Sequence, residues 1–130
     1  MSISRNIPEE NTHYTMAIGN ISFKQGKRIR IFIGESQEWR GRPLYQVILS
    51  ELQRHGARGA TVLRGIEGFG PHHLLSTERL PDISENLPLI VEIVESDEKV
   101  EELLPVLDAL VEQGMITVSP VEIVSGGSAS

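Results

Sequence analysis

Polar and apolar residues alternate from Lys27 to Gly34 (KRIRIFIG), so a strand there places Ile29, Ile31 and Ile33 on one face and Arg28, Arg30 and Phe32 on the other. The same period of two returns from Leu87 to Glu95 (LPLIVEIVE), with Leu89, Val91 and Ile93 facing one way and Ile90, Glu92 and Val94 the other. Between them the period changes. Leu44, Val47, Ile48 and Leu52 follow at helical spacing behind Pro43, a residue favoured at the first helical position, which predicts a helix from Pro43 to His55. Gly56 and Gly59 bracket its end and lead into a strand at Ala60 to Ile66. A second helix is capped by Ser96 or Asp97, and Val100, Leu103, Leu104, Leu107, Leu110 and Val111 repeat along it at intervals of three and four. Pro105 lies inside that run, so the helix either kinks or carries a missing hydrogen bond, and Gly114 ends it. A last strand follows at Met115 to Val124, where Pro120 marks a bulge or an edge position.

The element order is β-α-β-β-α-β, the split arrangement of an α+β, ferredoxin-like domain with both helices on one face of an antiparallel sheet. The other face is then uncovered. Phe32, Ile90 and Val94 alternate onto it and are too apolar to be left to water across a whole sheet, so burial against copies of the same chain, a homo-oligomer, is expected. Residues 1–26 read as an N-terminal extension, partly disordered or supplying an extra edge strand within Tyr14 to Phe23. Residues 27–124 form the domain, and 125–130 (SGGSAS) are a disordered tail.

Composition narrows the function classes. The absence of cysteine excludes disulfides, thiolate zinc sites and thiol nucleophiles. No apolar run approaches the roughly 18 to 20 residues that span a bilayer, and the first 20 residues lack the apolar stretch of a signal peptide, so a cytoplasmic protein without direct membrane insertion is expected. A net charge of −6 argues against non-specific nucleic-acid binding. The charge is unevenly spread: residues 24 to 64 carry nine basic and three acidic side chains, residues 65 to 130 two basic and thirteen acidic. A local positive site for a small anion is compatible with that distribution.

The densest candidate chemistry lies in Ala60 to His73 (ATVLRGIEGFGPHH), where a β-branched run ends in glycines, an arginine and two histidines. Gly65, Gly68 and Gly70 permit positive φ and close approach of the backbone to another group, while Arg64, His72 and His73 supply charge and donors beside it. The stretch suits anion or nucleotide binding; the plainer reading is a hairpin whose polar residues face water. No G-x-S-x-G elbow, G-x-x-x-x-G-K-[ST] loop or H-E-x-x-H helix is present, and the carboxylates Glu98, Glu101, Glu102, Asp108 and Glu112 form the solvated face of the second helix, so no enzyme is expected.

The blocks RIRIFIGE, WRGRPLY (Trp39 to Tyr45), GATVLRGIEGFG and LPLIVEIV resemble, in that order, the PII-like family labelled DUF190, over residues 28 to 124. A more distant likeness to nitrogen-regulatory PII proteins lies in GFGPHH and in VEIVESDEKVEELL. The resemblance implies a trimer that binds adenine nucleotides in clefts between subunits and signals to a protein target, such as a membrane transporter, through the loop at residues 65–86, of which Phe69 is part. The sequence departs from PII after the second helix: VEQGMITVSP has Gly114 alone and no lysine where PII has a glycine- and lysine-rich phosphate turn. Arg40 and Arg42, just before the first helix, and Arg64 at the loop root are the best substitutes for the lost charge, with ATP, ADP or AMP as the candidate effector; for Arg64 a subunit-interface role stays open beside the ligand role. Arg40 and Arg42 could equally pair with Glu35, Glu38 or Glu67. Trp39 either stacks on a base or packs at an interface. His72 and His73 have no completing ligand set nearby, so no metal site is assigned; phosphate donation and pH sensing stay open. The alternatives are a metal-binding trimer resembling the CutA group, which shares the fold, and a structural partner of a membrane transporter.

Overall fold

The computed structural model describes residues 15–69, 76–77 and 86–126. In chain order the elements are β1 (Thr15–Ile18), β2 (Ile21–Gly34), β3 (Glu38–Trp39), β4 (Arg42–Pro43), α1 (Leu44–Arg54), β5 (Thr61–Arg64), β6 (Glu67–Gly68), β7 (Ser76–Thr77), β8 (Pro88–Ser96), α2 (Asp97–Leu110) and β9 (Met115–Gly126). The long strand β2 organises the main sheet. One of its edges carries β9 from Ile21 to Phe32; the other carries β1 against Ile21 to Lys24 and then β8 against Gly26 to Gly34. β5 closes the far side of β8, with Val62 opposite Val91. All neighbours are antiparallel, and the order β9-β2-β8-β5 is that of the expected ferredoxin-like sheet.

Alternation decides which face is covered. Ile29, Ile31 and Ile33 of β2 and Leu89, Val91 and Ile93 of β8 pack with Leu44, Val47, Ile48 and Leu52 of α1 and Val100, Leu103, Leu107 and Leu110 of α2 in one buried cluster. Each such side chain contributes about 1.5 to 3 kcal/mol of transfer free energy, which is what holds the two helices on the sheet. Ser96 caps α2 by accepting the Lys99 N–H at 3.3 Å. α1 ends in a Schellman turn: the Gly56 N–H (φ 79°) donates to the Gln53 carbonyl and the Ala57 N–H to that of Leu52.

The open face carries Leu63, Val94 and Met115, all more than two-fifths exposed, beside half-buried Phe32 and Ile90. Arg30 and Glu92, which the alternation also places on this face, form an ion pair of 2.7 Å in its middle.

Several element boundaries differ from the sequence reading. The strand expected from Lys27 begins at Ile21, and the extra edge strand is the separate β1, joined by the two-residue turn Gly19–Asn20 with Gly19 at φ 60°. Positive φ at the first turn residue alone gives a type II′ hairpin, whose twist matches its strands. The strand expected at Ala60 to Ile66 is confined to Thr61–Arg64, and the last strand runs to Gly126. Pro43 precedes α1 as its cap, and His55 follows it. α2 continues through the exposed Pro105 as one helix. Pro120 sits in unbroken register with Lys27 on a strand that, among the described residues, pairs on one side only, so it marks an edge and no bulge. No helix among the described residues is long and apolar enough to cross a membrane.

Candidate functional site

The antiparallel order sends the last residues of β2 and β5 and the first residues of β8 and β9 to the same end of the sheet. Three connections therefore meet there: residues 35–43 before α1, the glycine segment after Arg64, and the turn 111–114 after α2. Polar contacts sew them together. Gln37 accepts the Gly34 N–H through Oε1, takes the Leu44 N–H at its own carbonyl, and donates from Nε2 to the Gln113 carbonyl at 2.7 Å. The Glu35 N–H donates to the Leu87 carbonyl, and the Ser36 N–H to Asn86 Oδ1 at 3.1 Å. Gly114 (φ 151°) has its turn pressed against β2; a Cβ there would lie 2.6 Å from the Phe32 carbonyl oxygen.

Arg64 ends β5 with its side chain half exposed, and its Nε and Nη2 both donate to Glu35 Oε1, at 3.2 and 3.1 Å. The next residue, Gly65, donates its N–H to the Pro88 carbonyl at 2.7 Å. Its glycine identity comes from that contact: a Cβ on Gly65 would lie 2.6 Å from Pro88 Cγ, and one on Gly68 3.0 Å from the same atom. Neither glycine has positive φ; among the described residues positive φ falls at Gly19, Arg40, Gly41, Gly56 and Gly114. Of the two reasons expected for these glycines, close approach holds and the left-handed backbone does not. Gly68 enters the short β6–β7 ladder opposite Ser76, while Ile66 and Phe69 stand 71% and 80% exposed, so the glycine segment brings apolar side chains into water at this end. Gly70, His72 and His73 lie outside the described residues.

The segment read as a plain loop before α1 contains a hairpin. Trp39 pairs with Arg42 across the two-residue turn Arg40–Gly41, and φ values of 51° and 81° make it type I′. A two-residue turn with glycine second was the available signal; the ladder is too short to show alternation. Half-buried Trp39 packs against the core cluster, and the Arg40 guanidinium lies 4.4 Å from its ring centroid. Arg40 and Arg42 are exposed and, among the described residues, make no ion pair, whereas Glu35, one of their expected partners, is taken by Arg64. Among the described residues the sheet end thus presents three guanidinium groups, one in an ion pair and two without one. Glu35, Asn86 and Pro88, which position the loop root, were not singled out as site residues by sequence reasoning, because each acts through a contact remote along the chain. Among the described residues no group of three or more His, Cys, Asp or Glu side chains could hold a metal ion.

Residues 26–123 match the model of the DUF190 family (Uncharacterized ACR). The chain belongs to the DUF190 family. It is 33% identical over 98 residues to a UPF0166 protein of Aquifex aeolicus (strain VF5), covering 75% of this chain and 92% of that protein. With a UPF0166 protein of Methanocaldococcus jannaschii it is 30% identical over 103 residues, covering 78% and 94%. Among solved structures, this DUF190 chain is similar to CPII, a nitrogen regulatory PII-like protein from Thiomonas intermedia K12, bound to ADP, AMP and bicarbonate. The TM-score is 0.61 at 17% identity, covering 78% of this chain and 90% of that one. A putative PII-like signaling protein from Thermus thermophilus gives a TM-score of 0.53 at 17% identity, covering 80% and 92%. The DUF190 chain therefore shares its fold with PII-like proteins.

Proposed function

We propose that this DUF190 protein is a non-enzymatic, PII-like regulatory homotrimer of the cytoplasm that binds a small anionic effector in clefts between subunits at the loop end of the sheet. The effector class is an adenine nucleotide (ATP, ADP or AMP). Occupancy is signalled through the loop at residues 65–86 to a protein target such as a membrane transporter. The observation that carries this reading is the position of Arg64: a half-exposed guanidinium at the root of that loop, on the same sheet end as Arg40 and Arg42. A ligand phosphate drawn to Arg64 acts directly on the residue that leads into Gly65 and the signalling segment. The arginines supply the charge that the turn 111–114, without a lysine, does not. Trp39, already stacked under Arg40, offers an aromatic surface beside them. CPII, bound to ADP and AMP on the same fold, supports the effector class.

The trimer is supported by the open sheet face, whose Leu63, Val94 and Met115 are 47%, 41% and 54% exposed around Phe32 and Ile90. Shielding that surface from water is the driving force for association, and a ring of copies would set the loop end of one sheet beside its neighbour. Calorimetric titration of ATP, ADP and AMP into the purified protein, with its mass measured by sedimentation, tests both parts. The expected result is a trimer that releases heat with at least one nucleotide and loses it in Arg64→Ala. A monomer, or heat unchanged by Arg64→Ala, contradicts the reading.

A further inference from the structure

Arg64 already has a partner. Both Nε and Nη2 donate to one oxygen, Glu35 Oε1, and the pair is substantially solvated, with side-chain exposures of 52% for Arg64 and 31% for Glu35. An ion pair this exposed is weakly held, because water and salt screen it. The backbone around it is held firmly. Glu35 N–H is bonded to the Leu87 carbonyl, Ser36 N–H to Asn86 Oδ1, and Gly65 N–H to the Pro88 carbonyl. Residues 86–88, where the loop returns to β8, are therefore clamped between the start of the 35–43 connection and the start of the loop itself. The one charged side-chain tie between Glu35 and the outgoing root of the loop among the described residues is Glu35 to Arg64.

We infer that Glu35 is the built-in competitor for Arg64: its carboxylate occupies the guanidinium in the effector-free protein and must be displaced by the effector, which makes it a residue that sets the affinity and charge selectivity of the site. The inference rests on the reading of the loop end as an anion site. Its chemistry is an exchange of one acceptor for another, with no covalent step. A monoanion replacing Glu35 trades like for like and gains repulsion from the displaced carboxylate. A phosphate chain carrying two or three charges gains more from Arg64, Arg40 and Arg42 than the pair loses. Displacement frees the Arg64 side chain to follow the phosphate, while the Gly65 N–H to Pro88 carbonyl bond and the bonds at residues 86–88 keep the backbone of both loop roots in place, so the exchange is one of side chains.

The test is titration of ADP into wild type, Glu35→Gln, Arg64→Ala and the double variant, with Glu38→Gln as a control that removes an exposed carboxylate from the same sheet end. Glutamine keeps the shape of Glu35 and deletes its charge. The expected result is about 1.5- to fivefold tighter ADP binding in Glu35→Gln, the range of a released surface ion pair. That gain should disappear in the Arg64→Ala background and be absent from Glu38→Gln. Unchanged or weaker binding in Glu35→Gln, with wild type still binding ADP, overturns the inference and leaves the anion site standing. An equal gain in Glu38→Gln also overturns it, because overall charge would then be the cause. Absence of ADP binding in all five proteins overturns the anion-site reading and the competitor with it.

Discussion

The two ends of the sheet are built on opposite principles. At the end where α2 begins, carboxylates are buried and partnered through one oxygen: Lys27 Nζ meets Asp97 Oδ1 at 2.6 Å with the Asp97 side chain 10% exposed and its Oδ2 without a hydrogen bond, and the almost fully buried Glu95 accepts the Arg58 N–H. Lys99 reaches from α2 to the His55 carbonyl at the end of α1. At the loop end the corresponding pair, Arg64 with Glu35, lies in solvent beside exposed Ile66 and Phe69. The same ion-pair chemistry is thus better shielded from water in Lys27–Asp97, at 36% and 10% exposure, than in Arg64–Glu35, at 52% and 31%. The difference sets a pair with one nearly buried partner at one end of the sheet against a more exposed pair at the other.

The sharpest way to break that contrast is to cut each pair and compare unfolding in urea. Asp97→Ala strands the Lys27 ammonium and removes a carboxylate from the first turn of α2; after allowance for the partial exposure of Lys27, a loss of about 2 kcal/mol is expected. Glu35→Gln should stay within about 0.5 kcal/mol of wild type. Equal losses would abolish the distinction. Gly65→Ala comes next, at about 1 to 2 kcal/mol, because its methyl group would lie 2.6 Å from Pro88 Cγ. Adding Pro88→Ala removes that atom and should recover part of the loss; no recovery would refute the close-approach explanation. Gly41→Ala has open space around it and only its φ of 81° against it, so about 1 kcal/mol is expected, without any remedy from a neighbouring side chain.

The smallest effect concerns Glu102, whose carboxyl is held below the usual range first by a hydrogen bond from Lys99 and then by that ammonium's charge. A depressed folded pKa stabilises above the unfolded value and is lost as pH falls through the folded one. Because the Glu102 side chain is about half exposed to solvent, the visible consequence is its own titration: by carboxyl NMR the midpoint should lie below that of a free glutamate and rise in Lys99→Met.

The fold was legible because its core strands and helices are regular. The alternation in KRIRIFIG and LPLIVEIVE and the three-and-four spacing in both helices translate directly into the buried faces observed. What escaped was short or remote. β3 and β4 have two residues each, too few for a period to show, and β1 is separated from β2 by a turn whose Gly19–Asn20 signal is brief. At the site, Arg64 stands out by its place between strand and glycine, but its partner does not. Glu35 lies within a few residues of Arg40 and Arg42, and proximity in sequence suggests those pairings; the sheet brings it to Arg64 instead. Gly65 and Gly68 suggest backbone freedom, whereas their constraint is Pro88, which only the pairing of β5 with β8 brings near.

Whether an effector takes Arg64 from Glu35 at the loop end of the sheet can be read from a crystal structure of the protein grown with ADP. The expected structure has ADP in a cleft between subunits, a phosphate oxygen within hydrogen-bond distance of the Arg64 guanidinium, and the Glu35 carboxylate turned away. ADP bound elsewhere, or bound with the Arg64–Glu35 pair intact at its present 3.1 Å, would contradict it.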